Sequence, residues 1–157
     1  MWNSIRSVNL SLVCTRVVMV LVVVCAAGLP WLIKRYSRFA SEGFYQLDLL
    51  YPEMYTTAFI TFLYAACVPA MAALICLDRL LANIKRDQVF TGKNVRLLRI
   101  ISWCCFLAAL LFAFAGRYYL VFLAAAVAAA FIGLILRVVK NVIEQAVELK
   151  AENDFTI

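Results

Sequence analysis

Four long apolar runs decide what this chain can fold into. They occupy residues 12–33, 54–77, 100–115 and 118–136, and at a rise of about 1.5 Å per residue each covers, or nearly covers, a hydrocarbon core of roughly 30 Å. The third run is the shortest. Its span becomes 97–115 if Arg96 and Arg99 lay their aliphatic stems along the helix and reach the headgroups. The last two runs are together too long for one crossing, so Gly116 and Arg117 should mark a tight hairpin between two helices.

Composition argues the same way. The chain is 66% hydrophobic and 15% charged, against roughly half and a quarter in an ordinary soluble domain. A core built from 157 residues cannot bury that surplus, because a domain of this size leaves much of its surface exposed. Lipid tolerates an apolar surface where water does not. The expected fold is therefore all-α: a four-transmembrane-helix bundle forming one membrane domain over residues 1–157, with spans of about 12–33, 54–77, 97–115 and 118–136. The first run is too long for a signal peptide, and Val24 before Cys25 does not suit a lipoprotein site.

Positive charge sets the expected orientation, since short Lys- and Arg-rich loops resist translocation. With both termini inside, eleven of the fifteen Lys and Arg residues fall on the cytoplasmic side. Lys34, Arg35, Arg38 and Arg117 fall outside. The chain is thus expected in the cell (inner) membrane, N-in and C-in. A net charge of +6 then reports cytoplasmic loops and anionic headgroups, and implies no direct nucleic-acid partner.

The outer loop, 34–53, carries Tyr36, Phe39, Phe44, Tyr45 and Tyr51, a density that suits a headgroup-level aromatic belt; a ligand-sensing loop is the alternative. Tyr51-Pro52-Glu53 suits a helix start. Pro69 removes a backbone donor in mid-helix, so a kink is expected there. Ala66 and Ala70, and Ala125, Ala129 and Gly133, lie at four-residue spacing and form seams for close helix approach, within the chain or in a homo-oligomer.

The two cytoplasmic stretches are the most patterned. Leu77, Leu80, Leu81 and Ile84 continue a helical apolar stripe past the second span, which should end near Lys85-Arg86-Asp87. In the loop, 78–96, Thr91 is placed to cap the next helix through its hydroxyl, with Phe90 and Val95 at the positions of a hydrophobic staple. The fourth helix should run unbroken to about Ala151, its seam of Ile135, Val139, Val142, Ala146 and Leu149 packing on the extension of the second helix. Lys140, Glu144, Glu148 and Glu152 step by four on another face, as a solvated edge with an intrahelical pair or as an acidic edge meeting the basic loop. Asn153, Asp154 and Thr156 favour a turn, leaving an apolar tip that needs cover.

The chemistry that would make an enzyme is missing. There is no histidine, which removes the commonest general base, metal ligand and haem ligand. No acid lies near the centre of a span, as a proton-coupled transporter would require. Five glycines form no nucleotide-binding motif. The six cysteines all lie in apolar runs and read as small hydrophobes, Cys104 and Cys105 included. No catalytic, cofactor or metal site is expected.

Residues 89–100, VFTGKNVRLLRI, and the ending 146–157, AVELKAENDFTI, together with the span pattern, resemble a family of small bacterial four-helix membrane proteins of unknown function, the YoaS-like proteins. Lys93 departs from the acid expected before Asn94. The resemblance implies a membrane partner of a small helix-turn-helix regulator of the Cro/CI type, because such proteins are often encoded together. Candidate partner-docking residues are Phe90, Thr91, Asn94, Arg96 and Arg99 on the loop side, and Glu148, Glu152, Asn153, Asp154, Phe155, Thr156 and Ile157 on the C-terminal helix and tail. The alternatives are a small-solute transporter or channel subunit, and a structural assembly protein.

Overall fold

The computed structural model describes the backbone of residues 4–40, 52–86, 88–116 and 120–155, and side chains over 7–31, 60–86, 88–116 and 120–153. Four helices fill it: α1 (Ser4–Ala40), α2 (Pro52–Lys85), α3 (Gly92–Ala115) and α4 (Val121–Phe155). Among the described residues there is no strand. Each helix contains a stretch long and apolar enough to cross a membrane: Ser7–Trp31, Ile60–Lys85, Gly92–Ala115 and Val121–Asn153. The chain is an all-α, multi-pass integral membrane protein. The aromatic loop falls largely outside the described residues.

The helices pack in chain order. Among the described residues α1 lies against α2, α2 against α3 and α3 against α4, and no other pair comes into contact. The core sits around α3, where Leu98 and Ile101 meet Leu80 of α2, with Cys76, Leu77 and Ile84 on one side and Leu136 and Ile143 on the other. Apolar side chains elsewhere face outward: Val13, Val17, Val20 and Val24 on α1 are all more than half exposed. In water that would be ruinous. In lipid it costs nothing, since the hydrocarbon is as apolar as the side chains.

α3 and α4 form the expected hairpin. The Gly116 amide donates to the Phe112 carbonyl at 2.8 Å. A Cβ on Gly116 would stand 3.2 Å from the Ala113 carbonyl oxygen and from the Leu123 nitrogen, so a side chain here would push the start of α4 away by a few tenths of an ångström. Further along, Ser102 is buried and its Oγ donates to the Gly133 carbonyl at 2.9 Å. The missing side chain of Gly133 makes room for α3, because a Cβ there would meet Cβ of Cys105 at 3.3 Å.

That bond fixes the level of one helix against the other. From it α3 runs ten residues back to Gly92, whereas α4 runs twenty-two on to Phe155. At about 1.5 Å per residue, α4 outruns the start of α3 by about 18 Å.

Three expectations need correction. The α4 seam Ile135, Val139, Val142 and Leu149 does not pack on α2; these residues are 40–65% exposed, and it is Gly133, Leu136 and Ile143 that face α3. Up to Leu136 nearly every side of this helix is apolar, so apolar spacing there could not select the packed face. The turn expected after Asn153 is absent up to Phe155, where the backbone is still helical. In the seams Ala66 is buried as expected, but on α4 it is Ala126 that is buried beside Gly133, while Ala125 and Ala129 are half-buried.

Candidate functional site at the start of the third helix

The polar side chains of the described structure gather at the end where α2 finishes and α3 begins. α2 closes on Asn83, whose carbonyl accepts the amides of Arg86 and Gln88, both at 3.1 Å. Its side-chain amide donates to Oδ1 of Asn94 at 2.8 Å. The Asn94 amide in turn donates to the carbonyls of Gln88 at 2.6 Å and Val89 at 2.8 Å. Asn94 is 1% exposed. A buried amide with its donors and acceptor all engaged fixes the loop between the helices. Asn94 therefore offers nothing to a partner directly, and its place among the docking residues is corrected: it holds their frame.

The capping bond expected of Thr91 is also corrected. It stands at the N-cap with extended backbone (φ −132°, ψ 144°), but its hydroxyl makes no capping bond. Its backbone carbonyl instead accepts the amides of Asn94 at 3.0 Å and Val95 at 3.3 Å. Phe90 beside it is 51% exposed, while Val95 is buried.

Two cationic grooves flank α3. Between α2 and α3 a cavity of about 350 Å³ is lined by Arg79, Arg86, Lys93 and Arg96, with Ala82, Leu97 and Ile100 below. Among the described residues no acid pairs with any of these four cations. Between α3 and α4 a second cavity of about 330 Å³ is lined by Arg99, Ser102, Trp103, Arg137 and Lys140. Here the cations are occupied. Arg99 pairs with Glu144 at 3.2 Å, Lys140 pairs with the same carboxylate, and Arg137 lies over the Trp103 ring at 5.4 Å. Glu144 is thus the expected intrahelical partner of Lys140, and across the helices it reaches Arg99 on α3; among the described residues it does not meet the basic loop 78–96.

Of the other candidates, Glu148, Glu152 and Asn153 are exposed on the part of α4 that outruns α3. The side chains of Asp154, Phe155, Thr156 and Ile157 lie outside those described. Sequence reasoning missed the groove as a unit, because Arg79, Arg86, Lys93 and Arg96 come from two helices. It also missed the ion pair of Arg16 on α1 with Asp78 on α2 at 3.1 Å. Only the similar distance of the two from the same end of antiparallel helices could have suggested that pair. Among the described residues no three Cys, Asp or Glu side chains converge to a metal-sized cluster.

No curated protein and no solved structure matches this chain. Residues 8–157 match the family described as "Protein of unknown function (DUF2975)", in keeping with the resemblance to small four-helix membrane proteins, and the chain belongs to that family.

Proposed function

We propose that this protein is a non-enzymatic regulatory membrane protein, with the α2–α3 loop on the cytoplasmic side of the cell membrane, and that it docks a cytosolic helix-turn-helix regulator on the overhanging end of α4. The observation that carries the reading is that overhang. About 18 Å of helix stands clear of α3, with Leu149 65% exposed and Glu148 exposed beside it. An apolar residue set among carboxylates complements the basic surface a DNA-binding protein presents. Supporting it are the absence of histidine from the sequence and the excess of Lys and Arg at this end, which resists translocation.

The test co-expresses the full chain with a helix-turn-helix regulator of the Cro/CI type and purifies both in mild detergent. Deleting residues 154–157, and separately substituting Leu149→Glu, should release the regulator while yield and melting stay unchanged. Retention by both variants refutes the docking surface. Loss of yield on deletion assigns the tail to the fold, and the Leu149→Glu variant then decides alone.

A further inference from the structure

The groove between α2 and α3 poses an electrostatic problem that the described residues do not solve. Arg79 and Arg86 line one wall and Lys93 and Arg96 the other. All four are exposed, and none is paired with an acid among the described residues. The first turn of α3 carries no acidic residue either. The opposite side of α3 shows what this sequence does when it neutralises such charges itself: Glu144 takes both Arg99 and Lys140, and Trp103 covers Arg137. Four like charges around one cavity repel one another, and a bound anion relieves the repulsion.

The lining shows which anion. Leu97 and Ile100 continue the groove along α3 toward the spanning segment, and Ile100 is 41% exposed. A ligand here meets guanidinium and ammonium groups at one end and an open apolar wall at the other. Guanidinium forks match phosphate oxygens two at a time. Basic pockets between transmembrane helices at the headgroup level suit lipid headgroups. We propose that the α2–α3 groove binds the phosphate of an anionic phospholipid, with Arg79, Arg86, Lys93 and Arg96 around the headgroup and the acyl chain lying against Leu97 and Ile100. This assignment is independent of protein docking on α4.

The experiment uses the full chain purified in a neutral detergent and then placed in nanodiscs of phosphatidylcholine alone or doped with phosphatidylglycerol. Thermal melting and native mass spectrometry read stabilisation and retained lipid. Phosphatidylglycerol should stay bound to the wild type and raise its melting temperature. Lys93→Gln with Arg96→Gln should weaken binding about 30-fold, equivalent to about 2 kcal/mol at about 1.4 kcal/mol per tenfold. Arg79→Gln with Arg86→Gln, on the other wall, should do the same, and decides the matter if the first pair fails to fold. Arg137→Gln with Lys150→Gln removes the same charge from α4 and should leave binding unchanged. An equal loss in that control, or wild-type binding in both groove variants, overturns the site. Equal protection by free inorganic phosphate at matched concentration overturns the lipid assignment.

Discussion

Replacing Asn94 with alanine tests whether one buried amide holds the α2–α3 junction. The side chain makes three hydrogen bonds, to Asn83, Gln88 and Val89, at 2.6–2.8 Å. At about 1 kcal/mol net for each, their loss amounts to about 3 kcal/mol. Two effects pull in opposite directions. Gln88 is exposed, so its carbonyl regains water, whereas the Asn83 amide and the Val89 carbonyl are left in a half-buried setting where an unmet partner costs more. The expected cost of Asn94→Ala is about 2–4 kcal/mol. Asn83→Ala loses a single side-chain bond and should cost about 1 kcal/mol, and the double variant should show a coupling of about the same size. Asn94→Asp keeps the volume but turns an acceptor toward two carbonyl oxygens, so it should be at least as harmful as alanine. Reversible unfolding in mixed micelles gives the free energies. Limited trypsin digestion gives the local consequence, because a loosened loop exposes Arg86 and Lys93 to cleavage. If Asn94→Ala costs no more than Asn83→Ala and cleavage is unchanged, the amide is not what fixes the loop.

The remaining predictions concern the hairpin, the orientation and the α1–α2 pair. Gly133→Val forces a branched side chain toward Cβ of Cys105 and should destabilise by about 1–3 kcal/mol. Ser102→Ala, losing its bond to the Gly133 carbonyl, should cost about 0.6 kcal/mol, as interhelical hydrogen bonds in membranes do; both are read by the same unfolding assay. In a cysteine-free background, single cysteines at position 93 and at both termini should be labelled only from the cytosol, and one at position 42 only from outside; labelling of position 93 from outside refutes the orientation. Arg16→Ala leaves Asp78 without its partner and should lower the melting temperature more than the Arg16→Ala, Asp78→Asn double variant does, and the reverse order would show that the pair contributes nothing.

How much could be read beforehand follows from the kind of signal each feature carries. The spans and the α3–α4 hairpin were legible because length and polarity encode them, and Gly116 interrupts a run too long for one crossing. The start of α2 at Pro52 and its end at Lys85 were legible for similar reasons, through a first-turn proline and a basic stop. The packed face of α4 was not, since apolar residues surround it and the contact is instead selected by the small Gly133 and the hydroxyl of Ser102. The polar clasp was half legible. Thr91, Phe90 and Val95 marked a helix start, but that Asn94 would turn inward depends on Asn83, eleven positions earlier on another helix. The cationic groove was invisible for the same reason, being assembled from residues that are neighbours only once α2 and α3 pack.

The exposed stripe on α4 separates two kinds of partner by depth. Measured from the level of Gly133 and Ser102, the first residue of α3 lies about 15 Å along the axis, and Val142 lies about 14 Å along α4. Ile135, Val139 and Val142 therefore stand alongside α3, where exposure to lipid costs nothing. Leu149 stands about 9 Å beyond its start. If the four cations of the α2–α3 groove mark the headgroup level, Leu149 is past it, in the aqueous phase, where its 65% exposure is unfavourable unless something covers it. A cytosolic protein can reach Leu149 and Glu148 but not Val139; a second copy of the chain, itself embedded in the bilayer, can use the whole stripe. Leu149→Glu should thus release a docked regulator and leave any oligomer formed through the spans intact. A bulky polar residue at Val139 should do the opposite, and a variant at either position that disturbs both would mean the stripe works as one interface between copies.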